Sequence, residues 1–182
     1  MKTIKTREEM LDLVPRGSRM AEIGVFMGSF SEKIIEKCAP SQLFLVDRWK
    51  GRAYSGDKDG KNIVRVTLEK VYEDHIVPVF GADEKNVVCR ETSDEFFAKI
   101  EQNSLDAVYI DAAHNYRAVK KDLENSRIVV KPGGIIMGHD YQEEAMPGVF
   151  RAVNEFVEKH NLTIEYITED GMPSFFIRNT KG

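Results

Sequence analysis

Glu22-Ile23-Gly24-Val25-Phe26-Met27-Gly28-Ser29-Phe30-Ser31 is the stretch that decides the fold. It continues an apolar run from Met20 and leads into a segment of helical periodicity, so a strand, a glycine turn and a helix are expected in succession. Gly24 and Gly28 let the backbone pass close to a ligand. Ser29 with Glu32 forms a capping-box pattern that starts the helix where its first N–H groups face that ligand. The spacing is GxxxG, whereas dinucleotide sites carry GxGxxG. Glu22 beside such a turn would repel a pyrophosphate and could accept hydrogen bonds from the ammonium of a methionyl group.

Outward from this turn, short apolar runs alternate with longer amphipathic stretches, the pattern of a parallel sheet covered by helices. Strands are expected over 20–26, 43–47, 86–91, 105–111, 134–139, 163–168 and 174–178, and helices over 29–37, 63–73, 94–101, 116–129 and 149–160. In the fourth helix Val119 and Leu123 share a face while Lys120, Lys121 and Glu124 point to water. Lys131-Pro132-Gly133-Gly134 ends that helix and opens a strand. The last two strands follow one another through 169–173, a hairpin turn that makes one of them antiparallel to the rest. The expected fold is therefore α/β, a Rossmann-like doubly wound sheet of seven strands with the last antiparallel and helices on both faces. A helix and a Pro15-Arg16-Gly17-Ser18 turn occupy 1–18, and the irregular stretch 48–62, with its glycines, Trp49 and Tyr54, reads as a lid loop.

At 182 residues and 42% apolar content the chain is expected to form a single domain over 1–182. A net charge of −4 with scattered Lys and Arg shows no basic footprint for phosphates, so nucleic acid is not an expected partner. No run is long and apolar enough for a membrane span, and no membrane partner is expected. Cys38 and Cys89 show neither CxxC spacing nor disulfide density, which suits a reducing, cytoplasmic setting. A homo-oligomer is compatible with these features.

Asp47 ends the second strand about twenty residues after the glycine turn, where an acid can accept hydrogen bonds from ribose hydroxyls or simply cap the strand. Arg48 and Trp49 follow it. Thr92 and Ser93 leave the third strand at the same sheet edge, either to meet an adenine ring or to cap the next helix. Asp111 ends the fourth strand with His114 three residues on, and His139-Asp140 ends the fifth. If those strands are neighbours, the four side chains converge. Asp111, His139 and Asp140 then form a donor set for a hard or borderline divalent cation such as Mg2+, which would lower the pKa of a substrate hydroxyl, with His114 near enough to take its proton. Each also has a plainer reading: Asp111 as a cofactor contact, His114 as a helix cap, His139 as a strand-end residue.

The acid-plus-GxxxG turn of Glu22, Gly24, Phe26, Gly28 and Ser31, with the acid at Asp47, resembles the class I S-adenosylmethionine-dependent methyltransferases. The resemblance spans nearly the whole chain and implies S-adenosylmethionine as cofactor and the strand order 3-2-1-4-5-7-6. IDAAHNY (110–116) with KPGGIIMGHDY (131–141) is similar to methyltransferase family 24, the branch with macrolide-sugar and aminocoumarin-sugar O-methyltransferases, distantly related to catechol O-methyltransferase. By that resemblance Asp111 and His139-Asp140 hold the metal, and His114 stands where catechol-type enzymes carry a lysine base. The sugar enzymes carry Asp where this chain has His139. Expected is a metal-assisted O-methyltransferase with Asp111, His114 and Asp140 catalytic and a small hydroxylated acceptor. The alternatives are a metal-independent N- or O-methyltransferase using His114 as base, a Rossmann-type oxidoreductase, and a catalytically silent cofactor-binding module.

Overall fold

The computed structural model describes residues 1–55 and 63–180. Its strands are β1 (Lys2–Ile4), β2 (Arg19–Ile23), β3 (Gln42–Asp47), β4 (Arg52–Ser55), β5 (Val64–Thr67), β6 (Asn86–Arg90), β7 (Leu105–Ile110), β8 (Val130–Gly138), β9 (Ile164–Thr168) and β10 (Phe175–Arg178). Its α-helices are α1 (Arg7–Met10), α2 (Ser29–Cys38), α3 (Leu68–Val71), α4 (Val77–Phe80), α5 (Ser93–Phe97), α6 (Tyr116–Val129) and α7 (Pro147–Lys159).

Eight strands form one sheet in the order β1-β9-β10-β8-β7-β2-β3-β6. Seven of them stand in the order expected from the resemblance, with β10 antiparallel to both β8 and β9. The eighth is an addition: β1 pairs in parallel with β9, from Lys2 beside Tyr166 to Ile4 beside Thr168. Residues 1–18 are thus a strand, a single turn of helix and a 3-10 turn at Leu11–Leu13 rather than one helix. Three strand residues fall below the length at which alternation is readable, and an edge partner supplies the pairing that the local sequence cannot.

A second departure lies at 63–73, expected as a helix. Val64–Thr67 is a strand that pairs antiparallel with Arg52–Ser55, and the helix begins only at Leu68. Two valines alternating with Arg65 and Thr67, three of the four residues being β-branched, favour the pleated form once a partner strand is present. From Leu68 the chain passes through a π-helical turn at Tyr72–Ile76 into α4. The expected lid over 48–62 falls partly on residues 56–62, which lie outside the described residues; its flanks form the β4–β5 ribbon.

Strand alternation divides the core into two layers. Ala21, Ile23, Phe44, Val46, Val108, Ile110 and Ile136 pack under α5, α6 and α7 through Phe96, Leu123, Val153 and Phe156. Met20, Leu43, Leu45, Ala107, Tyr109, Met137 and Phe176 pack under α1, α2 and α4 through Met10, Phe30, Ile34 and Phe80. This parity sends Glu22, on β2 between Ala21 and Ile23, to the α2 layer.

Candidate active site

Register fixes the site. Ile23 lies beside both Val46 and Ile110, Val46 beside Cys89, and Ile110 beside Gly138, so the carboxyl ends of β2, β3, β6, β7 and β8 finish level. Backbone bonds extend the ladder past the strand ends: Gly24 N–H to the Val46 carbonyl (2.8 Å), Asp111 N–H to Ile23 (2.7 Å) and His139 N–H to Ile110 (3.0 Å). Ligands of open α/β sheets bind at this edge. A cavity of about 610 Å³ opens there, within the range of small-molecule sites.

Gly24 adopts φ +94°, and a Cβ at that position would meet the Asp111 carbonyl oxygen at 2.2 Å. The glycine therefore allows β2 and β7 to approach at the cavity floor. Gly28 (φ +80°) precedes α2, and a Cβ there would strike the Phe80 ring at 2.4 Å. Glu22 is 1% exposed and lines the cavity; one of its oxygens accepts from the Ser31 hydroxyl on α2. Burial pushes its carboxyl up to about 8, with the Ser31 hydroxyl pulling the other way.

Asp47 stands at the opposite wall and works as a clamp. Its Oδ2 accepts from the N–H groups of Val25 (3.1 Å) and Phe26 (2.9 Å), and its Oδ1 from Trp49 N–H (2.9 Å). A carboxylate offers about four acceptor positions, so one remains for a ligand. Phe26, with φ 53°, lies on the rim, and its carbonyl accepts from Trp49 Nε1 at 2.9 Å. Trp49 was expected on the loop facing cofactor; it is instead fully buried beneath the site against Tyr72, because its indole N–H finds a backbone partner inside.

Thr92 caps α5 in a capping box with Glu95, accepting from Glu95 N–H at 3.2 Å. Its neighbour Ser93 lines the cavity together with Asp122 of α6. Burial pushes the Asp122 carboxyl up to about 6, opposed by a hydrogen bond from Ser93.

The second focus is a knot of two carboxylates and two imidazoles. Asp140 lies at φ +63° and is 5% exposed. Its Oδ2 is 2.9 Å from His114 Nε2 and its Oδ1 3.0 Å from His139 Nδ1. Asp111 Oδ1 approaches the same nitrogens at 3.9 and 3.8 Å. Burial opposes ionisation of Asp140, yet the two histidines hold its carboxyl well below the usual carboxylate range. The carboxylates of Asp111 and of the nearer Asp140 together push the His114 imidazole up to about 10. Asp111, His139 and Asp140 can each aim one ligand atom so that all lie within 4.8 Å of one another.

Of the residues singled out in the sequence, Glu22, Gly24, Phe26, Asp47, Arg48, Thr92, Ser93, Asp111 and His114 line the cavity. Gly28, Ser31 and Trp49 sit behind that lining and hold it. His139 and Asp140 join it through Asp111 and His114. Several lining residues had been passed over, among them the charged Arg7, Lys50, Glu91 and Asp122. Asp122 had a signal, a carboxylate on the stripe of Val119, Leu123 and Ser126 that α6 buries. Arg7 had none: it reaches the cavity from the far edge of the sheet.

This sheet order, with a glycine turn and strand-end acids around one cavity, is that of the class I S-adenosylmethionine-dependent methyltransferases. A methyltransferase-domain family matches residues 21–141, well over half of the chain, and the chain belongs to that family. No curated protein matches it by sequence. Among solved structures, the O-methyltransferase NovP is 18% identical with a TM-score of 0.68, covering 96% of this chain and 80% of its own. A SAM-dependent methyltransferase from Aquifex aeolicus is 13% identical, TM-score 0.66, with 96% and 90% covered. Spermidine synthase from Thermotoga maritima is 14% identical, TM-score 0.66; 94% of this chain is covered, but the chain spans only 59% of the synthase. Likeness at these identities establishes the fold.

Proposed function

We propose that this chain, acting as one domain, transfers the methyl group of S-adenosylmethionine to a hydroxyl of a small acceptor, assisted by a divalent cation. The observation that carries the reading is the meeting of the Gly24 turn, buried Glu22, Asp47 and Asp111 around one cavity at the carboxyl edge. The donor fits: Gly24 lets β2 and β7 close at the cavity floor, where a Cβ would strike the Asp111 carbonyl, and Glu22 is a buried carboxyl with a single hydroxyl partner facing the cavity. Glu22 would answer the donor's ammonium, Asp47 a ribose hydroxyl, and Phe26, Arg48, Thr92 and Ser93 the nucleoside. Gly28, Ser31 and Trp49 hold these in place. When bound, the donor supplies a methyl group on a positively charged sulfur, a leaving group that needs no acid, so the protein's main task is alignment.

Asp111, His139 and Asp140 would hold the cation, since carboxylate oxygens with one imidazole suit Mg2+ or a similar ion. A cation there supplies positive charge that orients an acceptor hydroxyl and eases loss of its proton. His114, paired to both carboxylates, stands beside that position, and Asp140 sets the direction of its ring.

Calorimetric titration with S-adenosylhomocysteine, with and without Mg2+, tests the donor half; absence of heat in both would end it. Methyl transfer that proceeds at full rate in chelator would remove the metal half and leave the metal-independent alternative.

A further inference from the structure

Among the described residues, three Arg or Lys side chains line the cavity: Arg7, Arg48 and Lys50. Arg48 and Lys50 leave β3 directly after Asp47, at the nucleoside end. Arg7 comes from elsewhere. Strand β1 carries the chain in along β9, Thr6 caps α1 by accepting from Glu9 N–H, and Asp170 in the β9–β10 turn accepts from Arg7 N–H at 3.0 Å. Those bonds hold the side chain over the opposite end. Its guanidinium lies 4.5 Å from the centre of the Phe30 ring, just after the glycine turn, and donates to Asp111 Oδ2 at 3.3 Å.

A guanidinium offers five N–H donors in a fixed fork; one makes a single long bond to Asp111 and the Tyr109 hydroxyl accepts another, which leaves donors over for a ligand. Ring stacking on Phe30 leaves the fork's edge available. The surrounding carboxylates pose an electrostatic problem for any donor with an amino-acid end. Asp111 suits its ammonium, as does Glu22 once the ammonium draws off its proton, but the Asp111 carboxylate would repel the donor's own carboxylate. Among the described residues, Arg7 is the one Arg or Lys lining that end.

We propose that Arg7 binds the α-carboxylate of the donor, so that the N-terminal strand and turn complete the donor site and select a donor bearing an intact amino acid. This rests on the donor reading above.

The test compares S-adenosylhomocysteine with its decarboxylated analogue, which keeps the amine and lacks only the carboxylate, on the wild-type chain and on Arg7→Gln. The wild type should prefer the carboxylated ligand by about tenfold or more, the scale of a hydrogen bond between charged groups. Arg7→Gln should weaken S-adenosylhomocysteine roughly ten- to hundredfold and leave the analogue unchanged, erasing the preference. The analogue reports in the same sample that the variant is folded, and Arg7→Lys should restore part of the loss. A preference that survives in Arg7→Gln overturns the assignment. So does an equal loss of both ligands with Arg7→Lys no better, which would make Arg7 a support for Asp111. A wild-type chain that binds neither ligand removes the donor reading itself, and this inference with it.

Discussion

Glu22 is placed by strand parity in a layer of apolar side chains, where burial pushes its carboxyl from an ordinary 4.5 to about 8. The folded chain then holds a proton that the unfolded chain has released. Stability from this residue is fully present below about 4.5, falls as the pH rises, and reaches its low above about 8. Glu22→Gln mimics the protonated group and should not show the decline. In urea unfolding the variant should match the wild type near pH 4.5 and exceed it at pH 8.5, by at most about 3–5 kcal/mol. Its affinity for S-adenosylhomocysteine should fall more than about tenfold, as expected for a lost charge-assisted bond. A variant that gains stability while losing ligand would mark Glu22 as strained for function. Gly24→Ala should behave otherwise and lose both, because its φ and the Asp111 carbonyl leave no room for a methyl group; a cost of at least about 2–3 kcal/mol is expected in the same assay.

At the scale of elements, α5 shows how a short helix serves the site. Five residues cannot hold a helix by propensity, so its start depends on the reciprocal Thr92–Glu95 bonds and on Phe96 and Phe97 in the core. Thr92→Ala should cost about 1 kcal/mol, a fall of about 2–4 °C in Tm for a chain of this size. Because Ser93 follows the cap at the cavity wall, ligand affinity should fall as well; an unchanged affinity would separate the cap from the site. The elements differ in how far their own residues reveal them. Helix α6 was legible to the residue, since Val119, Leu123 and Ser126 mark its buried stripe, Asn115 caps it and Pro132 bars its extension. The strand at Val64–Thr67 was not, because its pairing with Arg52–Ser55 overrides a local pattern that also suits a helix.

At the scale of the molecule, the cluster proposed to hold a cation forms because β7 and β8 are neighbours and end level, which brings Asp111 to His139 and Asp140 across 28 residues of sequence. Binding there should be visible in stability as well as in rate. Millimolar Mg2+ or Mn2+ should raise the Tm of the wild type, by mass action on the folded form, and chelator should reverse it. Asp111→Asn should abolish the shift and reduce methyl transfer by about 10²-fold or more, in keeping with the loss of a charge-stabilising group. A shift that persists in this variant would place the cation elsewhere.

Local sequence determined the strand–turn–helix at Glu22 to Ser31, the seven principal strands, the closing hairpin and the acids at the strand ends, because these follow from side-chain period and glycine conformation; the capping box expected of Ser29 and Glu32 does not form, since Gly28 is the N-cap of α2 and no side chain caps it. Only the assembled fold decided that Trp49 turns inward, that Asp47 spends three of its acceptor positions on backbone, that β1 joins the sheet, and that Arg7 arrives above Asp111. Each of those depends on a partner far along the chain, and a contact between distant residues leaves no periodic trace in the residues that make it.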